Sequence, residues 1–361
     1  MGKAIYVIAG INVVFIPQRI YFEKEALDYP LGEALFARFK GEGQEIRFAT
    51  SHNRITGLPG DSPAERFQEA KKTLVVGVRK TLDFSGCKPS AHYQLPLTTG
   101  CPGRCHYCYL HSTLGPRPYL RIYVNMDDIL SRTREYILQR SPEITVFEGS
   151  ATSDPLAVEH FSGALKQTIS FFAGQERGRF RFATKQVEVD SLLSVEHGGR
   201  TRVRFSVNAS QPARRYDKGV PSVGRRIEAG IKMARSGFPT GFLVAPVFIY
   251  EGWKQDYLTL LERIGRAWEK AGPLNEQTSR ELPPPTFEII AHRFTPKARE
   301  RILSITPESD LPMDKKDRTY RYGQFGYGKY VYPKDTYREI EDLFRPAIQR
   351  LFPQGSVDYV V

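Results

Sequence analysis

Between positions 92 and 290, short β-branched or aromatic runs alternate with longer stretches whose apolar residues recur at three-and-four spacing. His92–Leu97, Ile144–Phe147, Phe180–Ala183, Val203–Val207, Gly241–Ile249 and Phe287–Ile290 read as strands. Met126–Gln139, Val158–Phe172, Gly224–Ser236 and Gln255–Lys270 read as amphipathic helices. Strand and helix in alternation predict an α/β protein with a parallel sheet and crossovers, either doubly wound or a barrel. Six such strands, each followed by polar residues, suit a barrel that works at the C-terminal ends of its strands.

Three segments fall outside that pattern. Ala4–Phe15 is apolar, but only Lys3 precedes it as a positive charge and no small-residue cleavage site follows, so a buried strand or an extra N-terminal segment is expected rather than a targeting peptide. Residues 271–286 hold four prolines and read as a surface loop. Arg318–Lys334 packs five tyrosines, Phe325 and several cations around Gly323, Gly326 and Gly328, which predicts a hairpin with a glycine turn. Such a hairpin either folds onto the barrel or offers a surface that stacks bases and pairs phosphates. The expected division is an N-terminal α/β segment over 1–90, the barrel over 91–295, and a C-terminal segment over 296–361 with the hairpin and a closing helix.

No run of about 18 apolar residues occurs, which argues against a membrane span and for a soluble protein. With 40% hydrophobic and 25% charged residues, the 361-residue chain can bury a sizeable core. Its 52 Lys and Arg against 40 Asp and Glu leave a net charge of +12, which makes polyanions such as nucleic acid the first candidate partners. Four cysteines exclude a disulfide-stapled scaffold. Three of them, Cys101, Cys105 and Cys108, fall within eight residues, and thiolates that close call for a metal. Structural zinc needs four closed ligands and would have to recruit His92, His106 or His111. An iron-sulfur cluster can be held by three thiolates, leaving one iron open to a substrate or cofactor. Cys87 lies outside the motif and reads as a small buried apolar residue.

The C-x3-C-x2-C spacing, with Tyr107 just before the last cysteine, resembles the radical S-adenosylmethionine signature. That resemblance implies a partial (β/α)6 TIM-like barrel and a [4Fe-4S] cluster whose open iron chelates S-adenosylmethionine, which is cleaved to a 5′-deoxyadenosyl radical. Residues 88–115 (KPSAHYQLPLTTGCPGRCHYCYLHSTLG), FEGSATSD at 147–154, RFATK at 181–185, RFSVN at 204–208 and YGKYVY at 327–332 resemble the spore photoproduct lyase family. The family reverses the methylene-bridged thymine dimer of ultraviolet-irradiated spore DNA. By resemblance, Cys101, Cys105 and Cys108 bind the cluster. Ser153, Lys185, Ser206 and Ala245 hold the cofactor, and Tyr107 and Tyr109 relay the radical back to it. An electron donor such as a flavodoxin or ferredoxin, and a cytoplasmic location in the spore core, are implied too.

Two departures accompany the likeness. Where the family carries a cysteine that gives a hydrogen atom to the thymine radical, this chain has Ala151, and the flanking Gly149 and Ser150 also differ. Either the alanine is a deliberate substitution made to trap a complex, or the chain is a natural homologue that quenches its radical differently or works on another substrate. The aromatic-basic pair that the family inserts at the lesion falls at Gln324 and Phe325, without a cation, or at Arg321 and Tyr322, with one. In either register Arg318, Arg321, Lys329 and Lys334 are the expected phosphate contacts. A non-catalytic DNA-binding protein with a zinc in the cysteine cluster is the alternative from another class.

Overall fold

The computed structural model describes residues 14–272, 282–322, 326 and 328–361. Most of the apolar N-terminal run and of the proline loop, and both Gln324 and Phe325, therefore lie outside the described residues.

In chain order the strands are β1 (Arg19–Glu23), β2 (Ile46–Ala49), β3 (Thr73–Gly77), β4 (Gly86–Cys87), β5 (Ala91–Gln94), β6 (Thr98–Thr99), β7 (Leu120–Tyr123) and β8 (Thr145–Glu148). They continue as β9 (Gly178–Thr184), β10 (Thr201–Val207), β11 (Thr240–Val247), β12 (Thr286–Ala291), β13 (Thr319–Tyr322), β14 (Gly328–Val331) and β15 (Ser356–Val360). The main sheet has the order β15-β12-β11-β10-β9-β8-β5-β4. Its six central strands are the six expected ones, all parallel, and they form the open half of a barrel. β15 extends it in parallel beside β12, and β4 closes the other edge as an antiparallel hairpin with β5.

Alternation along these strands separates two faces. Phe147, Phe180, Phe182, Val203, Phe205, Phe242 and Phe287 are buried together with the outer helices. The intervening positions carry Glu148, Arg181, Arg204 and Glu288, which are also buried and so must be paired within the chain. Arg204 meets that requirement with its Nη1 2.9 Å from Glu288 Oε2 and its Nη2 on Glu148, tying β8 to β12 across β10. Ser90 donates to Glu148 at 2.7 Å, and Arg181 pairs with Glu288.

The helix over Met126–Gln139 has the expected bounds, whereas the one expected over Val158–Phe172 is two, Glu159–Ser162 and Ala164–Ala173. Gly163 separates them at φ 58°, a left-handed conformation that no helix continues through. No side chain at Gly163 can cap the second helix. Instead Glu159 reaches forward and accepts the N–H groups of Leu165 and Lys166 at 2.7 and 2.9 Å.

The first sheet has the order β2-β1-β3-β7-β6, so strands from residues 19–77 are joined by two strands from beyond position 90. β7 packs parallel to β3, and β6 antiparallel to β7. β6 ends at Thr99, two residues before Cys101, so this sheet delivers the cysteine loop to the mouth of the half-barrel. The hairpin β13-β14 is antiparallel with Tyr320 opposite Tyr330, and β14 docks on the core through Phe294 and Tyr330.

Burial pushes the Glu159 carboxyl up to about 7 against its two N–H bonds. The folded state therefore holds this proton more tightly than the unfolded chain, whose reference is 4.5. Its stabilisation is complete below that reference and is lost as pH rises through 7. Glu159→Gln is expected to flatten the pH dependence of the urea midpoint in this window, removing a slope worth on the order of 2 kcal/mol.

Candidate active site

The cysteine loop is held from three directions. Gly100 N–H donates to the Thr152 carbonyl at 2.9 Å, Arg104 N–H to Lys218 at 2.8 Å and His106 N–H to Tyr216 at 3.0 Å. The buried Lys71, the last residue of the helix Pro63–Lys71, donates to the Cys101 carbonyl at 2.7 Å. Cys105 is buried, while Cys101 and Cys108 are half-buried.

The donor set suits a three-thiolate cluster better than zinc. His92 Nδ1 accepts the Val146 N–H at 2.9 Å, and His106 Nδ1 pairs with Ser309 at 2.8 Å. His111 turns its Nε2 to the Cys105 carbonyl at 2.8 Å, not to a sulfur. Zinc is not favoured by this arrangement, since the paired nitrogens of His92, His106 and His111 are engaged by backbone or serine groups. Gly103 also leaves room between thiols, since a Cβ there would lie 3.3 Å from Cys101 Sγ and 4.0 Å from Cys105 Sγ. Burial, then nearby acids, raises the thiol of Cys101 and pushes that of Cys105 up to about 12, protons that metal binding would displace.

At the carboxyl edge of the strands, Lys185 follows β9 and places its Nζ 2.9 Å from Tyr107 Oη and 3.4 Å from Asp217 Oδ1. Tyr107 donates to the same carboxylate. Arg226 donates to Asp217 Oδ2 at 2.7 Å and to the Ser206 carbonyl at 2.9 Å. Burial by itself would raise the Asp217 carboxyl, but Lys185, Arg226 and the Tyr107 hydrogen bond outweigh it and hold the group below its ordinary range. Asp217 and Arg226 were missed by sequence reasoning; RRYDKG and VGRRIEA carry no motif that marks them.

Ser206 is buried at the end of β10, and Ala245 is half-buried on β11 near its end. Ser153 is buried, with its hydroxyl 3.4 Å from the Gly149 carbonyl, and the following 3₁₀ turn is preceded by Asp154, so Ser153 does not cap it. Asp154 accepts from Thr184 at 2.7 Å and from Lys185 N–H at 2.9 Å, which joins this loop to the end of β9. Tyr109 is 56% exposed, yet its hydroxyl turns inward and donates to the Ala151 carbonyl. Ala151 and Thr152 also line a cavity of about 530 Å³ with Gln94, Arg117 and Tyr123.

In the hairpin, Arg321 and Tyr322 are exposed, Tyr322 by 80%. Lys329 is half-buried and Lys334 exposed. Arg318 points the other way. Its guanidinium sits 3.6 Å over the Tyr332 ring and donates to the carbonyls of His292 at 2.8 Å and Pro312 at 3.0 Å, so its donors are spent inside the chain.

Fold and site together define an α/β half-barrel protein that presents three thiols, a lysine and small side chains at the carboxyl mouth of its strands. A family model described as spore photoproduct lyase matches residues 15–361. The chain belongs to the spore photoproduct lyase family. It is 47% identical over 344 residues to the spore photoproduct lyase of Clostridium acetobutylicum, covering 95% of this chain and 98% of the relative. To that of Bacillus subtilis it is 42% identical over 345 residues, covering 96% and 98%. A solved spore photoproduct lyase complexed with dinucleoside spore photoproduct matches with a TM-score of 0.92 at 44% identity, over 96% of this chain and 100% of that one. A doubly substituted spore photoproduct lyase with bound AdoMet and the same dinucleoside matches at 0.91, with 44% identity and the same coverage.

Arg226 and Asp217 are almost fully enclosed, with side-chain exposures of 1% and 2%. Arg226→Met would leave Asp217 with Lys185 as its one remaining cation and would take a buried donor from the Ser206 carbonyl, and unfolding by urea is expected to show a loss of about 1–3 kcal/mol.

Proposed function

We propose that this protein is a radical S-adenosylmethionine lyase that repairs DNA by reversing the methylene-bridged thymine dimer. The observation that carries the reading is the near full-length match to a lyase solved with the dinucleoside photoproduct, combined with three thiols and Lys185 at one mouth. Cys101, Cys105 and Cys108 would bind three irons of a [4Fe-4S] cluster, leaving the fourth to the amino and carboxylate groups of S-adenosylmethionine. Bound there, the two cofactors supply a 5′-deoxyadenosyl radical able to take the C6 hydrogen of the lesion.

The chain's own residues shape the rest. Lys185, kept in place by Asp217 and Tyr107, directs an ammonium into the mouth where the cofactor's carboxylate would sit. Ser153, Ser206 and Ala245 are small enough to line that mouth without filling it. Tyr109 holds its phenolic hydrogen at the Ala151 carbonyl, beside the position from which the substrate radical would be quenched.

DNA would approach across the hairpin. A damaged step unstacks more cheaply than an intact one, and Tyr322 beside Arg321 combines a plate for the gap with a charge for the backbone. Lys329 and Lys334 add cations, and the net charge of +12 favours the encounter. Reducing equivalents would come from a donor of the flavodoxin or ferredoxin class. A segment boundary near 295 and a role in the spore belong to the same proposal, whereas the first sheet runs across position 90 by taking in β6 and β7.

An anaerobic single-turnover reaction of the reconstituted protein with S-adenosylmethionine, dithionite and an oligonucleotide containing the dimer should yield both 5′-deoxyadenosine and restored thymine. Deoxyadenosine without thymine would reject the dimer as substrate while keeping the radical chemistry. Arg321→Ala should lower the slope of log affinity against log salt by about 1, and an unchanged slope would remove Arg321 from the phosphate contacts.

A further inference from the structure

Four arginines are buried among the described residues, and three of them end on carboxylates: Arg181 on Glu288, Arg204 on Glu148 and Glu288, and Arg226 on Asp217. The fourth, Arg121, is 3% exposed and does not. It lies in β7 of the first sheet, where its Nε donates to the His52 carbonyl at 2.8 Å and its Nη2 to the Arg117 carbonyl at 3.1 Å. Carbonyls satisfy donors without neutralising a charge, and the Tyr119 ring, centred 4.3 Å from the guanidinium carbon, offsets only part of it. Glu23, the acid that holds His52, is already engaged: it accepts the His52 N–H at 2.6 Å and the Val78 N–H at 2.8 Å, and pairs with His52 Nδ1 at 3.0 Å. A buried cation without a counter-charge is unfavourable, and an anion from outside the chain would relieve it.

Space for such an anion adjoins it. Arg121 lines the cavity of about 530 Å³ that Ala151 and Thr152 also line, so one space runs from the first sheet to the mouth of the half-barrel. With Nε and Nη2 engaged, Nη1 is the donor left for that space. Arg79 and Arg117 line the same cavity, and each spends one donor on a carbonyl, that of Thr81 at 2.9 Å and that of Asn53 at 3.0 Å. Asp83 is the one acid among the described residues of the wall, and it stands in solvent with Arg132 as its partner at 3.5 Å. Three guanidinium groups thus share one cavity, and none of them is paired with a carboxylate there. A guanidinium is planar, weakly hydrated and always charged, and its parallel N–H groups match two oxygens of a phosphate.

We propose that Arg121, flanked by Arg79 and Arg117, is a phosphate subsite that holds the phosphodiester joining the two thymines of the lesion. The inference rests on the repair reading, which puts the reacting base beside Ala151. In a dinucleotide the internal phosphate lies one sugar away from each base, so a base held at Ala151 carries that phosphate into the reach of the same cavity. Arg121 is a positioning residue in this account. It moves no proton and touches no reacting atom, but a buried fork on the phosphate fixes where along the strand the dimer sits. The hairpin cations, exposed on β13 and β14, meet the backbone outside this cavity, so the two sets of contacts act on different phosphates.

The test is calorimetric binding to the reconstituted protein with S-adenosylmethionine and no reductant, so that no turnover occurs. The dimer is supplied in two forms, a dinucleotide with the internal phosphate and a dinucleoside without it. The parent protein should bind the dinucleotide at least about tenfold more tightly. Arg121→Gln should bring the two affinities within about twofold of each other, and Arg121→Lys, which keeps the charge but loses the fork, should fall between. Arg117→Gln alters an exposed side chain and should remove part of the preference, so a folding defect in Arg121→Gln does not end the test. Equal affinity of the parent for both forms, or a gain that appears only when phosphates flank the dimer, would overturn the subsite and leave repair standing. So would a preference unchanged in Arg121→Gln, or in Arg117→Gln should the first not fold. A parent protein that binds neither form would overturn the repair reading, and this inference with it.

Discussion

The guanidinium of Arg204 is the interaction on which the half-barrel depends. An open barrel of six strands has two faces, and here the concave one is lined by acids and arginines that water cannot reach. Arg204 bonds Glu148 on one side and Glu288 on the other, so one side chain from β10 gathers carboxylates from β8 and β12. Ser90, Ser150 and Tyr359 take up remaining oxygens of those acids. A buried charge left unpaired costs several kcal/mol, so the strands on either side are constrained to a curvature that keeps the three groups in contact. Above this charged floor the inner positions become small, with Ala183, Ser206 and Ala245, and the mouth is left open for a ligand.

The second constraint is a shared carboxylate. Asp217 follows the helix Ser210–Tyr216, and its neighbours Tyr216 and Lys218 accept N–H bonds from the cysteine loop. The same residue receives Lys185 from the end of β9, Arg226 from the helix after β10, and Tyr107 from inside the motif. Position and charge are thereby set together: the loop that carries the thiols cannot shift without breaking contacts that also orient the lysine. Two cations on one acid leave a surplus positive charge at the mouth, which favours an anionic group there.

The hairpin shows how one segment divides between folding and binding. Arg318 at its base lies on Tyr332 and is spent on carbonyls, while Tyr320 and Tyr330 pack against each other with ring centroids 4.9 Å apart. These contacts anchor the two strands, and the residues beyond them, Arg321 and Tyr322, stand in solvent. A cationic aromatic stretch is thus half structural, and neither composition nor spacing reveals which half.

Much of this molecule was legible before folding was considered. The six barrel strands stood out because RFRFAT and TRVRFSV alternate charge with aromatic or aliphatic bulk, and the cysteine motif because its ligands are neighbours in the chain. The first sheet was not read, since its short strands gain partners from as far away as Leu120–Tyr123, and a break such as Gly163 is a local conformation inside an otherwise helical period. Asp217 and Arg226 were silent too. By itself the sequence determined which residues alternate, which recur every three or four positions and where thiols cluster, because each is a property of a few consecutive residues. Only tertiary structure decided which charge meets which, because those contacts join segments tens to more than a hundred residues apart and exist only once the sheet has curled.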